Sequence, residues 1–195
     1  MIWTPRFFLL PLSFTHLEHC LSDLPGLEAE LHFLVAREIF TEDVTRAIGM
    51  KLAKMETLPL ELHPWQTYWL IVLLKPEKIG AGLIGFKGYL NARGEVDVGY
   101  RIAPQFQGQG YTTEALRALC TWAFRDPACR AITATTVANP ASNRVLHKVG
   151  AQIVDAREGK MDWKIYRLGF QGFGEEMTKN GSQTQPDTVA REKCS

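Results

Sequence analysis

Six consecutive residues, Gln105-Phe106-Gln107-Gly108-Gln109-Gly110, separate a strand-like run from a helix-like run. Glu95 to Ile102 leads in, and Tyr111-Thr112-Thr113-Glu114-Ala115-Leu116 leads out. A glycine-bearing turn at a helix N-terminus presents backbone N–H groups with no Cβ in the way, so a phosphate can approach closely. Two common phosphate motifs are excluded. A Rossmann turn needs a third small residue where Thr113 stands, and a P-loop needs Gly-Lys-Ser/Thr. A pyrophosphate cradle of another kind and an ordinary glycine-rich strand-to-helix turn both remain open.

A second cluster lies one strand later, at Asn139-Pro140-Ala141-Ser142-Asn143-Arg144-Val145-Leu146-His147-Lys148-Val149-Gly150. By local chemistry Asn139 is an N-cap, Pro140 a good first helical residue, and Ser142 a first-turn serine able to bond backbone. Lys148 suits the end of a helix and could also reach a phosphate. His147 reads as an exposed histidine. Asp97, on the strand before the glycine turn, could be a solvated carboxylate or a base.

Taken together, the two segments resemble the GNAT superfamily of acyl-CoA-dependent N-acetyltransferases. Its Gln/Arg-x-x-Gly-x-Gly/Ala signature is matched by Gln105, Gly108 and Gly110. Asp97-Val98-Gly99-Tyr100-Arg101-Ile102 is similar to the family's fourth strand, and Asn-x-x-Ser-x-x-Val-Leu-x-Lys-x-Gly to its RimJ/RimL-like branch of ribosomal-protein N-terminal acetyltransferases. The resemblance runs from residue 5 to 170 and is strongest from 95 to 150. It implies acetyl-CoA as cosubstrate, no metal, and a primary-amine acceptor, either a peptide N-terminus or a small-molecule amine, attacking directly in a ternary complex. Gln105, Gln107, Gly108, Gln109, Gly110, Tyr111 and Thr112 would form the cradle for the coenzyme A pyrophosphate, with Lys148 in support. Backbone groups of Tyr100 and Ile102 would bond the pantetheine arm in a splay between the fourth and fifth strands. Asn139 would add a side-chain contact. A non-catalytic acyl-CoA sensor on the same fold is the alternative reading.

Acetyl transfer needs a neutral amine, a stabilised thioester oxygen and a leaving thiolate. At pH 7 roughly a tenth of an α-amine with a pKa near 8 is neutral, but well under a thousandth of a lysine near 10.4. The resemblance assigns Asp97 as base, acting through a water, because the family carries Glu at this position and Asp is shorter. The family's tyrosine acid has no counterpart here, since Leu146 holds its position. Ser142 matches the serine that the branch uses in its place. With a thiol pKa near 8.5, a hydrogen bond to the thiolate can suffice.

Around these residues the sequence predicts a mixed α/β domain over 1–173. Its central sheet has about six or seven mostly antiparallel strands flanked by helices. Arg6 to Leu12 reads as a strand, His16 to Leu34 as helical pieces broken at Pro25-Gly26, and Arg37 to Met55 as one amphipathic helix. Pro59 to Pro64 reads as a linker. Trp65 to Leu74, Lys78 to Tyr89 and Glu95 to Ile102 form a meander, in which Gly99 suits a bulge or a close backbone approach. Tyr111 to Phe124 reads as a helix, Ala131 to Val137 as a strand, and Pro140 to Val149 as a helix stopped by Gly150. Gln152 to Asp155 and Trp163 to Leu168 close the sheet. From 174 on the composition turns polar, which reads as a disordered tail.

Bulk properties agree. Of 195 residues, 46% are hydrophobic, enough for a globular core. A net charge of +1 offers no broad attraction to nucleic acid or an acidic membrane. The four cysteines, Cys20, Cys120, Cys129 and Cys194, are scattered, which argues against a metal site or disulfide framework and for a reducing cytoplasm. The longest apolar run, Tyr68 to Leu74, is too short to span a bilayer, and Phe7 to Leu12 reads as a buried strand rather than a leader. A monomer or homodimer is expected.

Overall fold

The computed structural model describes residues 1–172, and the tail expected from 174 onward lies outside them. Strands β1 (Ile2–Trp3) and β2 (Phe7–Pro11) open the chain, followed by helices α1 (Phe14–Ser22) and α2 (Leu24–Leu31), strand β3 (Leu34–Val35) and helix α3 (Glu42–Met55). A short helix, α4 (His63–Gln66), precedes the meander of β4 (Trp69–Leu73), β5 (Ile79–Phe86) and β6 (Glu95–Ile102). Helix α5 (Tyr111–Ala123), strand β7 (Ala131–Val137), helix α6 (Pro140–Lys148) and the hairpin of β8 (Gln152–Arg157) and β9 (Lys160–Tyr166) follow.

The strands form one sheet of nine, ordered β1-β2-β4-β5-β6-β7-β9-β8, with β3 beside β5. Beyond the expected strands, the sheet gains the two-residue β1 and β3. All pairings are antiparallel except β3–β5 and β6–β7.

Period-two alternation divides the core between the two faces. Phe7, Ile71, Ile84, Val96, Val98 and Ile132 pack with Leu116 and Leu119 of α5 and Leu146 of α6. Phe8, Leu70, Val72 and Leu83 pack on the other face against Leu17, Leu27 and Ile48 of α1, α2 and α3.

The feature that shapes the site is the β6–β7 junction. Pairing runs through Glu95↔Ala131, Val96↔Ile132 and Asp97↔Thr133 and stops there. Beyond Asp97 the two strands diverge, while β6 stays paired to β5 as far as Ile102. The cause lies in β7. Its register against β9 slips between Ala134 and Val137, and Thr136 has a left-handed φ of +55°. The Thr136 N–H leaves the ladder and donates to Asp162 Oδ1 at 2.6 Å. Such a bulge bends its strand out of plane.

Several expected boundaries move for local reasons. The break between the first two helices is Asp23, which ends α1 and caps α2 by accepting from the Gly26 N–H at 3.0 Å. Pro25-Gly26 sits in the first turn of α2, where proline has no helical hydrogen bond to lose. Residues Arg37–Ile39 form a separate 3-10 turn, so the amphipathic helix begins only at Glu42. Trp65 and Gln66 are helical, held in α4 after Pro64, which starts the strand at Trp69. Gly99 makes no bulge, because the β5–β6 register is regular through the Gly85↔Gly99 pair. The close approach is at its partner: a Cβ on Gly85 would lie 2.6 Å from Thr67 O.

Candidate active site

The turn between β6 and α5 contains a 3-10 segment, Pro104–Phe106, and then two left-handed glycines, Gly108 at φ +75° and Gly110 at φ +81°. An L-residue in that region costs roughly 1–2 kcal/mol. A Cβ at Gly108 would meet nothing within 4 Å, and one at Gly110 only Arg6 Nη2 at 3.5 Å. Backbone conformation therefore requires the glycines, and their lack of side chains keeps the front of the turn open. Gly110 caps α5 without a side chain. The first amide of this helix to find a backbone carbonyl is that of Glu114, on Gly110 O at 3.1 Å. The N–H groups before it point outward with the positive end of the helix dipole.

Helix α6 starts as its residue types dictate. Asn139 caps it, its Oδ1 accepting from the Ala141 N–H at 2.8 Å, and Pro140 follows in the first turn. Trp163 Nε1 donates to Asn143 Oδ1 at 2.9 Å and fixes the helix to β9. Gly150, at φ +82°, ends it.

A cavity of about 560 Å³ lies between β6, the glycine turn and α6. Its walls include Tyr100, Ile102, Gln107, Gly108, Gly110, Tyr111, Thr112, Asn139, Ser142 and Lys148, ten of the residues singled out by sequence. Arg101 and Arg144 also line it, and among the described residues no carboxylate does. With Lys148 they make three cationic side chains around a turn rich in free amides, an environment that suits a phosphate-bearing anion. Arg144 and Lys148 are four apart on α6 and so share a face, a spacing that sequence reading could have used.

The side chains of Gln105 and Gln109 turn away from this cavity. Gln105 Nε2 lies 3.5 Å from Glu38 Oε2, and Gln109 Nε2 donates to Gln105 O at 3.2 Å. Gln107 faces the cavity, where its Nε2 donates to Ile102 O at 3.3 Å. The Tyr100 hydroxyl crosses the splay to donate to Ser142 O at 3.3 Å. Burial pushes the Tyr100 phenol up to about 12, against a smaller opposing effect of that hydrogen bond. Leu146 is only 1% exposed and packs in the core, so its position does not open onto the cavity.

Asp97 lies elsewhere. It follows the opposite parity from Val96 and Val98, and it lines a second cavity of about 440 Å³ with Lys87, Glu95, Thr133, Thr135 and Asp162. Its Oδ1 is 3.2 Å from Lys87 Nζ, and its Oδ2 accepts a short hydrogen bond from the Thr135 hydroxyl. Asp97 is also the last residue of β6 paired to β7 before the splay. Beside it, the Lys164 ammonium, 2.7 Å from Glu95, holds the Glu95 carboxyl below the usual range.

Among the described residues no group of His, Cys, Asp and Glu could hold a metal ion, and no helix is long and apolar enough to cross a membrane. Cys20, Cys120 and Cys129 are buried free thiols, and Cys194 lies outside the described residues.

A search of curated proteins gives no match. Among solved structures, a GNAT-family acetyltransferase from Bacillus anthracis is similar at 21% identity and a TM-score of 0.54, over 86% of this chain and 98% of that one. RimL, a ribosomal L7/L12 alpha-N-protein acetyltransferase in complex with coenzyme A, is similar at 18% identity and 0.55, over 84% and 95%. The ribosomal-protein-S5-alanine acetyltransferase of Vibrio fischeri is similar at 13% identity and 0.59, over 87% and 97%. At these identities the likeness is one of fold. The sequence pattern of the acetyltransferase (GNAT) domain matches residues 21–152, well over half of the chain. With that match, and with a glycine-bearing turn at the mouth of a splayed sheet, the chain belongs to the GNAT family of acetyltransferases.

Proposed function

We propose that the chain transfers an acetyl group from acetyl-CoA to a primary amine by direct attack in a ternary complex, and that an α-amino group is the preferred acceptor. The observation that carries this reading is the single cavity that gathers the glycine turn, the open edge of β6 and the start of α6. Its residues fit acetyl-CoA. Gly108, Gly110 and the first turn of α5 would hold the pyrophosphate, with Arg144 and Lys148 adding charge. The edge of β6 from Val98 to Ile102, unpaired toward β7, has backbone groups free for the pantetheine amides, as in strand addition to a sheet edge. Bound there, acetyl-CoA supplies an activated thioester.

Three groups of the chain then act. A backbone N–H of β6 beyond Asp97 polarises the carbonyl. The Ser142 hydroxyl, with Tyr100 beside it, donates a hydrogen bond to the departing thiolate. Asp97 accepts the amine proton through a water from the other face of the sheet. Because Asp97 is already engaged by Lys87 and Thr135, an acceptor that needs little help from a base is favoured. An α-amine is about a tenth neutral at pH 7, far more than a lysine. RimL, named for acetylating a protein α-amine, supports the same choice by analogy. The buried free thiols support a reducing, cytoplasmic setting.

The test is incubation with acetyl-CoA and a panel of free-N-terminus peptides, lysine-bearing peptides with blocked N-termini, and small amines, read by thiol release. Turnover is expected to be fastest on free N-termini. Faster turnover on blocked, lysine-bearing peptides would overturn the α-amine preference, and saturable CoA binding with no thiol release would overturn the reaction.

A further inference from the structure

We propose that Arg6 is a positioning residue for the phosphate cradle, holding the Gln109–Gly110 turn and the first turn of α5 in the conformation that receives an anion. The proposal rests on the acetyl-CoA reading above. Arg6 lies just before β2 and more than a hundred residues from the turn it supports. Its Nε and Nη2 are both 2.6 Å from Glu114 Oε2. Its Nη1 donates to Gln109 O at 2.8 Å, and its guanidinium lies 4.4 Å from the centroid of the Tyr111 ring. One side chain thus ties together the last residues of the turn, the first residue of the helix and the helix's first acidic residue. The planar fork of arginine can do this, and a lysine ammonium cannot.

The arrangement is electrostatic as well as mechanical. Glu114 is in the first turn of α5, where a carboxylate stabilises the helix but repels an incoming phosphate. Its side chain is only 12% exposed, and its buried Oε1 finds no hydrogen-bond partner among the described residues. Arg6 neutralises that carboxylate, so the free amides and the cavity cations dominate the field an anion meets. Each guanidinium nitrogen points at a protein acceptor and Arg6 does not line the cavity, so it acts through the turn rather than on the ligand.

The separating experiment is calorimetric titration of CoA and of pantetheine, which lacks the pyrophosphate, into the wild type, Arg6→Ala, Arg6→Lys and the double variant Arg6→Ala/Glu114→Gln. Loss of charge-assisted hydrogen bonds predicts a CoA Kd raised roughly tenfold or more in Arg6→Ala. Arg6→Lys should fall between wild type and Arg6→Ala. Pantetheine affinity should be unchanged in all variants, and removal of the Glu114 charge should recover part of the CoA loss. Arg6→Lys carries the test if Arg6→Ala does not fold. Equal weakening of both ligands would mean a general fold defect and would overturn the proposal, as would unchanged CoA affinity. A wild type that binds no CoA overturns the acetyl-CoA reading itself, a result distinct from a wild type that binds and variants that match it.

Discussion

Ser142 and Asp97 carry separable predictions because they line different cavities. Ser142→Ala should lower kcat about tenfold, the scale of one hydrogen bond to a developing charge, and leave the affinity for acetyl-CoA nearly intact. Equal rates in mutant and wild type would remove the hydroxyl from the chemistry. Asp97→Asn should lower kcat about 100-fold at neutral pH, the lower end of general-base effects, without changing the KM for acetyl-CoA. If kcat holds and only the melting temperature falls, the carboxylate is a structural partner of Lys87 and Thr135. At this scale the sequence was informative where backbone chemistry dictates residue type. Two glycines in left-handed conformation, an Asn-Pro helix start and a first-turn serine could be placed from type and spacing. The direction of a polar side chain could not. Gln105 turns toward Glu38 and Gln109 bonds within its own loop, while Asp97 is engaged by Lys87, just past β5, and by Thr135 of β7, partners set by how the strands pair. Arg6 was invisible because its partners are more than a hundred residues away.

Among the elements, β6, α5, β7 and α6 were the most legible, because β-branched alternation, helical period and sharp caps agree over each of them. The splay itself was known only through the family resemblance. Its physical cause, a threonine with positive φ tied to Asp162, is a tertiary contact. The segment from 37 to 69 was misjudged for a related reason: Pro64 and the short 3-10 turns divide runs whose apolar pattern continues. Part of what anchors this segment is Lys51 of α3. Its ammonium is buried, donates to Gln66 O at 2.7 Å, to Thr67 O at 3.4 Å and to Phe86 O, and lies over the Tyr68 ring at 4.5 Å. Burial, with a smaller contribution from the charge of Lys54, pushes its pKa down to about 7. An unfolded lysine titrates near 10.4, so between about pH 7 and 10 the unfolded chain binds the additional proton. This group's contribution to stability therefore rises with pH across that window, and below it the cost of the buried charge is fully present. Urea unfolding at pH 7 and pH 9 should show a pH-dependent gain in the wild type that Lys51→Met lacks. Identical pH dependence in the two proteins would mean that Lys51 keeps an ordinary pKa in the fold.

For the molecule as a whole, a net charge of +1 hides a strong local asymmetry. Among the described residues Arg101, Arg144 and Lys148 line one cavity without a carboxylate, while the cavity at Asp97 mixes both signs. Affinity for CoA should therefore fall as salt rises despite near-neutral composition, and Arg144→Gln should flatten that dependence. Fluorescence titrations of CoA at low and high salt would show it; equal slopes would remove Arg144 from the ligand field. Composition could not reveal this asymmetry, because it arises only when β6 and α6 meet across the splay. The same geometry underlies the central proposal, that acetyl-CoA and the amine are bound together and the acetyl group passes directly between them. Initial rates measured over a grid of acetyl-CoA and acceptor-amine concentrations test it most directly. Direct transfer predicts intersecting double-reciprocal lines, with thiol released one for one with acetylated amine. Parallel lines, or thiol released without acetylated amine, would contradict it.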